Sequence, residues 1–213
     1  ADHVVNCGVG AGWELPYFIV MLQGQGRIYN VDPVIFDPLV NPDVLSSASG
    51  TLLKFRDLIT DIIPAVTDVD GPKEYTFVNS MYYDLKDQVF PQDGNPITFT
   101  IDTSRIDSLV ASGRIERIDY LKLDIEGSEP AALRGAIGSI KRFRPRVAVA
   151  IYHALSHFWD IPAYLMDELS DYDFYIRCYS YHRFETLLYA IPKEDRASRP
   201  LKNISAVRPG EAV

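Results

Sequence analysis

Three acids fall within six residues in the stretch Asp124-Ile125-Glu126-Gly127-Ser128-Glu129, directly after the apolar run Ile118-Asp119-Tyr120-Leu121-Lys122-Leu123. Charge at the mouth of a buried strand is costly unless a ligand, a reacting proton or a helix start makes use of it. Such acids can ligate a metal, accept a proton or hold an amine. A second group with chemical potential lies near the start of the chain. Gly8, Gly10 and Gly12 stand in G-x-G-x-G spacing, and Asp32 follows twenty residues after Gly12. Glycines at a strand-to-helix turn let a ligand touch the backbone, and the amides there form a polar wall against it. An acid at the end of the following strand can take both hydroxyls of a ribose. The third glycine comes one residue early for a pyrophosphate fingerprint. A nucleoside without a pyrophosphate fits better than a nicotinamide dinucleotide, and a tight turn with no ligand is the plain alternative. His153 adds an imidazole whose ordinary pKa lies near working pH.

These groups need elements to position them. The sequence predicts strands over residues 3–6, 27–32, 61–68, 73–79, 97–102, 118–124, 146–153, 173–181 and 185–191. It predicts helices over 13–23, 103–112, 129–142 and 161–169, and allows one around 51–60. Pro16 sits in the first turn of the first helix, and Gly24 and Gly26 end it. Thr103 or Ser104 is the expected cap of the second helix. Pro33, Pro38 and Pro42 break the region after Asp32. Strands alternating with helices, closed by two nearly consecutive strands, predict a three-layer α/β sandwich, mostly parallel with an antiparallel end. One domain over residues 1–192 and a polar tail over 193–213 are expected. Asn6, Asp32, Asp68, Asp124 and His153 then all lie at strand ends, where ligands of open α/β sheets bind.

Bulk properties set limits. With 213 residues, 47% of them hydrophobic, the chain can bury a core without staples. The formal net charge of -8 argues against a partner bound through its phosphate backbone. Cys7 and Cys178 fit neither a disulfide framework nor a zinc spacing. With no visible secretion signal, a reducing cytoplasmic setting is the default. No apolar run reaches the roughly 18–20 residues of a membrane span. The chain opens without Met and runs at once into a strand, so an upstream portion is expected.

Two motifs carry a resemblance. Asn6-Cys7-Gly8-Val9-Gly10-Ala11-Gly12 resembles the first motif of class I S-adenosylmethionine-dependent methyltransferases. The segment IDYLKLDIEGSEPAALRGA, 118–136, is similar to the signature of the FkbM methyltransferase family. TIDTSRIDSLV, 100–110, and the strands from 146 to 190 extend the likeness to nearly the whole chain. The resemblance implies a Rossmann-like seven-stranded sheet, S-adenosylmethionine as cofactor, and methyl transfer to a hydroxyl of a sugar, glycan or other small natural product. A cofactor-binding module without catalysis and a nicotinamide-dependent oxidoreductase are the alternatives. The first motif of the family begins with an acid where this chain has Asn6, which brings no charge.

The expected cofactor residues are Asn6, Gly8, Gly10, Gly12, Asp32 for the ribose and Asp68 near the adenine. Asp124, Glu126 and His153 are the expected catalytic residues, with His153 as general base. Glu129 reads as a first-turn acid that favours the helix start. Glu14 either does the same for the first helix or faces the pocket. His157 and His182 are weaker candidates for the base. Tyr152, Tyr179 and Tyr181 could line the acceptor pocket, though aromatic residues in strands more often pack in the core. Asp124 and Glu126 offer oxygen ligands to a hard divalent ion, but no third ligand is evident and no metal is assigned.

Overall fold

The computed structural model describes residues 1–10, 12, 14–33, 55–78, 81–83, 97–181 and 185–198. The His3–Cys7 strand (β1) is apolar on both sides: Val4, Val5 and Cys7 are all buried, as befits an interior strand of a parallel sheet. It leads through the glycine loop into helix α1 (Leu15–Met21), with Pro16 in the first turn, and then into β2 (Arg27–Val31). Past a short turn at Arg56–Leu58 comes β3 (Ile59–Ile62).

The strand expected over 61–68 is split here. Ile63 and Pro64 interrupt the pairing, and Ala65–Val66 (β4) joins a different sheet. Proline has no N–H to give to a ladder, so it ends one there. Gly71–Val78 (β5), Met81–Tyr83 (β6) and Ile97–Ser104 (β7) complete that second sheet, in the order β4-β7-β5-β6. β6 lies in a region read as loop.

Helix α2 (Ile106–Ala111) begins later than expected, because Thr103 and Ser104 still belong to β7. Asp70 does the capping instead, accepting bonds from the Arg105 amide at 2.9 Å and the Ser108 hydroxyl at 2.7 Å. After β8 (Tyr120–Leu123) the single helix expected over 129–142 appears as α3 (Glu129–Arg134) and α4 (Ile137–Phe143). Gly135 lies between them, and a Cβ there would sit 2.0 Å from the Thr67 carbonyl oxygen. Asp107 of α2 receives the Ser139 amide of α4 at 2.7 Å. Then follow β9 (Arg146–Ala150), α5 (His157–Glu168), and the antiparallel pair β10 (Tyr172–Cys178) and β11 (Thr186–Pro192). The start of the expected polar tail forms α6 (Lys193–Ser198), held by Arg144–Glu194 and Arg146–Asp195 ion pairs. Residues 199–213, His182 and residues 51–54 lie outside the described residues, and of the helix allowed around 51–60 the described part holds only the short turn Arg56–Leu58 before β3 begins at Ile59.

The large sheet has seven strands in the order β10-β11-β9-β8-β1-β2-β3. β11 runs antiparallel to both neighbours, and the remaining pairings are parallel. Val4 packs with Leu15 and Ile19 of α1 on one face. Val5 and Cys7 pack on the other with Ile106, Leu133, Ile140 and Leu165 from α2 to α5. The sheet is therefore the middle of three layers, as expected. Cys7 pairs with both Val31 and Leu123, and Leu123 with Val149, so the carboxyl ends of β1, β2, β8 and β9 stop level with one another. The glycine loop, Asp32, Asp124 and His153 all leave the sheet at that edge.

Candidate active site

The loop after β1 is fastened on both sides. The Gly8 amide donates to Val31 at 3.2 Å, and the Asp124 amide donates to Cys7 at 3.1 Å. Gly8 has φ of +79°, and a Cβ on it would lie 1.7 Å from the Asp124 carbonyl oxygen. Its role is thus to let the loop lie against the end of β8. Gly10 has φ of +51° with open space where a Cβ would point, which suits the approach of a ligand. Asp32 accepts the Val9 amide at 2.8 Å, so the expected ribose acid and the loop are one unit.

Asn6 is placed differently from the other cofactor candidates. It is fully buried, and its Nδ2 donates to Asn30, which donates in turn to Asp61 at 3.1 Å. It forms part of a polar row across β1, β2 and β3. Its neighbour in register is Lys122, which the sequence reading passed over. The Lys122 ammonium donates to the Gly8 carbonyl at 2.7 Å and pairs with Glu14 at 2.5 Å, and it lies 4.0 Å from Asp124. One buried cation therefore ties the glycine loop, the first helix and the end of β8 together, and Glu14 does face inward. Lys122→Met is expected to destabilise the protein by about 1–3 kcal/mol, because Glu14 and the Gly8 carbonyl lose their partner. Urea unfolding checks this, and unchanged stability would show the tie to be idle.

The second half of the site is built by the turn after β8. Glu126 has φ of +55° and Gly127 of +102°. Left-handed backbone is unfavourable for a residue with a side chain and gathers at functional sites. The turn brings Asp124, Glu126 and Glu129 around one imidazole. His153 Nε2 is 3.5 Å from Asp124 and 3.4 Å from Glu126, and its Nδ1 is 2.8 Å from Glu129 Oε1. That last contact meets hydrogen-bond distance without hydrogen-bond direction, so it acts as an ion pair. The Tyr152 hydroxyl donates to Asp124 at 3.0 Å.

Glu129 is more than a helix-start acid. Its side chain is 0% exposed and reaches back to accept the Ile125 amide at 2.8 Å. It shares a buried face with Ala132 and Leu133, three and four residues on. That helical spacing is the signal by which the sequence could have placed it inward. Burial works against its charge, but His153 and the Ile125 amide hold it below the usual carboxylate range. Burial likewise works against a charged His153, yet the three carboxylates raise it above the ordinary imidazole value. Asp124 and Glu126 are both raised, chiefly by burial.

The other candidates stand apart from this cluster or at its margin. Asp68 follows β4 rather than the third strand of the large sheet, and its carboxylate is engaged by Arg134 at 2.9 Å. His157 opens α5, 3.6 Å from Glu129. The Tyr179 hydroxyl meets that of Tyr189 at 2.6 Å, and Tyr181 is exposed.

This strand order, with one antiparallel strand inserted near the edge and the glycine loop beside an acid-bearing strand end, defines the Rossmann-like fold of S-adenosylmethionine-dependent methyltransferases. The chain matches the model of the methyltransferase FkbM domain over residues 6–176, and it belongs to that family. Among solved structures it is similar to the methyltransferase FkbM from Methylobacillus flagellatus KT, with 22% identity, a TM-score of 0.63, and coverage of 89% of this chain. The match covers 43% of that protein, so the chain spans less than half its length. A methyltransferase from Geobacter sulfurreducens is more distant, with 14% identity, a TM-score of 0.47, and coverage of 90% of this chain and 71% of the other. A SAM-dependent methyltransferase from Aquifex aeolicus has 13% identity, a TM-score of 0.39, and coverage of 89% and 81% respectively. No curated protein matches the chain. Among the described residues no helix is long and apolar enough to cross a membrane.

Proposed function

We propose that the chain transfers a methyl group from S-adenosylmethionine to a hydroxyl oxygen of a sugar, glycan or other small hydroxyl compound. The observation that carries this reading is the contact between its two halves. The loop that suits a nucleoside lies directly against the strand end that bears the acids, through Gly8 and Asp124.

The residues present suit the cofactor. Gly10 leaves room for it, and Asp32 beside the loop offers a carboxylate to the ribose hydroxyls. Asn6 supports the methionine end only indirectly, through the polar row and its neighbour Lys122. Asp68 is left out of the cofactor site because Arg134 already engages it. When bound, S-adenosylmethionine supplies a methyl group activated by its sulfonium. Asp124, at the end of β8, positions the acceptor and the cofactor's charged end. Glu126 takes the acceptor's proton as the new O–C bond forms and the S–C bond breaks. Its side chain is 45% exposed, so it is the acid of the three most open to an incoming hydroxyl. His153 lies between Asp124 and Glu126 and positions both, a role we assign it in place of the general base expected for it. Carboxylates facing the pocket suit hydroxyl acceptors, which can donate hydrogen bonds to them. The net charge of -8 disfavours nucleic acid.

Calorimetry with S-adenosylhomocysteine tests the cofactor assignment. Saturable binding is expected, and none is expected for a nicotinamide dinucleotide. Absence of S-adenosylhomocysteine binding would remove this reading. Methyl transfer from labelled S-adenosylmethionine to a panel of sugars, glycans and small hydroxyl compounds then separates a catalyst from a binding module without catalysis.

A further inference from the structure

We infer that Asp124, Glu129 and His153 together bind one divalent cation of the oxygen-preferring class, represented by Mn2+ or Mg2+. Each of the three offers one ligand atom, and these atoms lie within 4.8 Å of one another. From its place in the sequence Glu129 reads as a helix-start acid, and only the fold brings it beside Asp124 and His153 as a third ligand.

Two buried polar atoms point to an occupant. Glu129 is 0% exposed, and its Oε2 makes no hydrogen bond, with His157 Nδ1 near it at 3.6 Å. The His153 side chain is 5% exposed, and its Nε2 also makes no hydrogen bond, though it faces the Asp124 and Glu126 carboxylates at 3.5 and 3.4 Å. Leaving such atoms unsatisfied in the interior is costly, and a cation held by Asp124, Glu129 and His153 relieves that cost. The charge count agrees. Three carboxylates gather around His153, with His157 3.6 Å from Glu129 on its far side, so an anionic cluster faces the ring nitrogens of His153. Lys122, the nearest other cation, is already paired with Glu14.

The surroundings also resemble the support a metal ligand needs. The Ile125 amide fixes Glu129, and the Tyr152 hydroxyl fixes Asp124. Such outer contacts orient ligands and are costly to remove. Two carboxylates and one imidazole form an oxygen-rich set that suits Mn2+ and Mg2+. Three protein ligands leave coordination positions for water or for the oxygen of a hydroxyl compound, whose pKa the cation would lower. Glu126 stands outside the three and remains available to take the proton. The cation site rests on these side chains and does not require that the methyl-transfer reading be correct.

The test uses the whole chain with neither cofactor nor acceptor. Mn2+ is titrated and its free signal followed by electron paramagnetic resonance, with Mg2+ as competitor. One saturable site per chain is expected, weakened at least about tenfold by Asp124→Asn and by Glu129→Gln. Circular dichroism establishes that each variant is folded. Asp124 is part-exposed, so its variant keeps the test decisive if Glu129→Gln does not fold. Mn2+ should also raise the melting temperature of the unaltered protein and not that of Asp124→Asn. Absence of saturable binding, or equal affinity in folded Asp124→Asn, overturns the site. Methyl transfer that persists without Mn2+ binding would sink the cation and leave the methyltransferase reading intact. Mn2+ binding at these residues without S-adenosylhomocysteine binding would do the reverse.

Discussion

Glu126→Gln is expected to lower turnover by roughly 10²–10⁴-fold, the usual contribution of a positioned general base. Affinity for S-adenosylhomocysteine should change by less than about twofold. Glutamine has nearly the same shape and must adopt the same backbone, so the φ of +55° at this position is no worse in the variant. It also keeps a carbonyl that can accept a hydrogen bond, so the fold and the acceptor pocket are preserved. What it lacks is the capacity to accept a proton at working pH. The comparison therefore isolates proton transfer from positioning. Single-turnover kinetics with bound cofactor give the measurement, and a rate within about threefold of the parent would move the proton to another group.

The second large effect is structural. Gly8→Ala is expected to cost at least about 3 kcal/mol of stability, combining left-handed backbone with a steric collision. The added methyl would need the space 1.7 Å from the Asp124 carbonyl oxygen, which belongs to backbone and cannot rotate away. Either the loop lifts off β8 or the strand end moves, and both disturb the loop's seat between Asp32 and the acid cluster. Gly10→Ala is the control. Its φ of +51° is also left-handed, but nothing lies within 4 Å of the new Cβ. It should cost about 1 kcal/mol and show its effect mainly in S-adenosylhomocysteine affinity. Thermal and urea unfolding, read beside calorimetry, separate the two. Equal losses of stability at both positions would contradict the distinct roles given to them.

The sheet was legible because its signals are local. Period-2 and continuous apolar runs mark β1, β2, β8, β9, β10 and β11, and the glycines after β1 mark its turn. What escaped the sequence depended on tertiary contact. Pro64 divides residues 61–68, a break that a proline inside a strand signals locally, but that the two halves join different sheets depends on tertiary contact. Thr103 looked like a cap, yet Asp70, distant in sequence, caps α2. Asp124, Glu126 and His153 were placed together because each follows a strand in a parallel sheet, whose ends must lie at one edge. Lys122 and Glu129 were missed for the same reason as each other. A charge inside a strand or a first helical turn looks like surface until its partners are known, and those partners lie far along the chain.

The position of β11 has a consequence for how the chain matures. β10 touches the large sheet through β11 alone, although β10 is made first. A ribosome delivering the chain in order would release β10 with no ladder to join until residues 186–192 had emerged. β9 would wait with an open edge over the same interval. Closure of this side of the sheet therefore waits for β11, and α6, with its ion pairs to Arg144 and Arg146, latches it immediately afterwards. Nascent chains halted before Thr186 should expose both strand edges to chaperones or to pairing with one another.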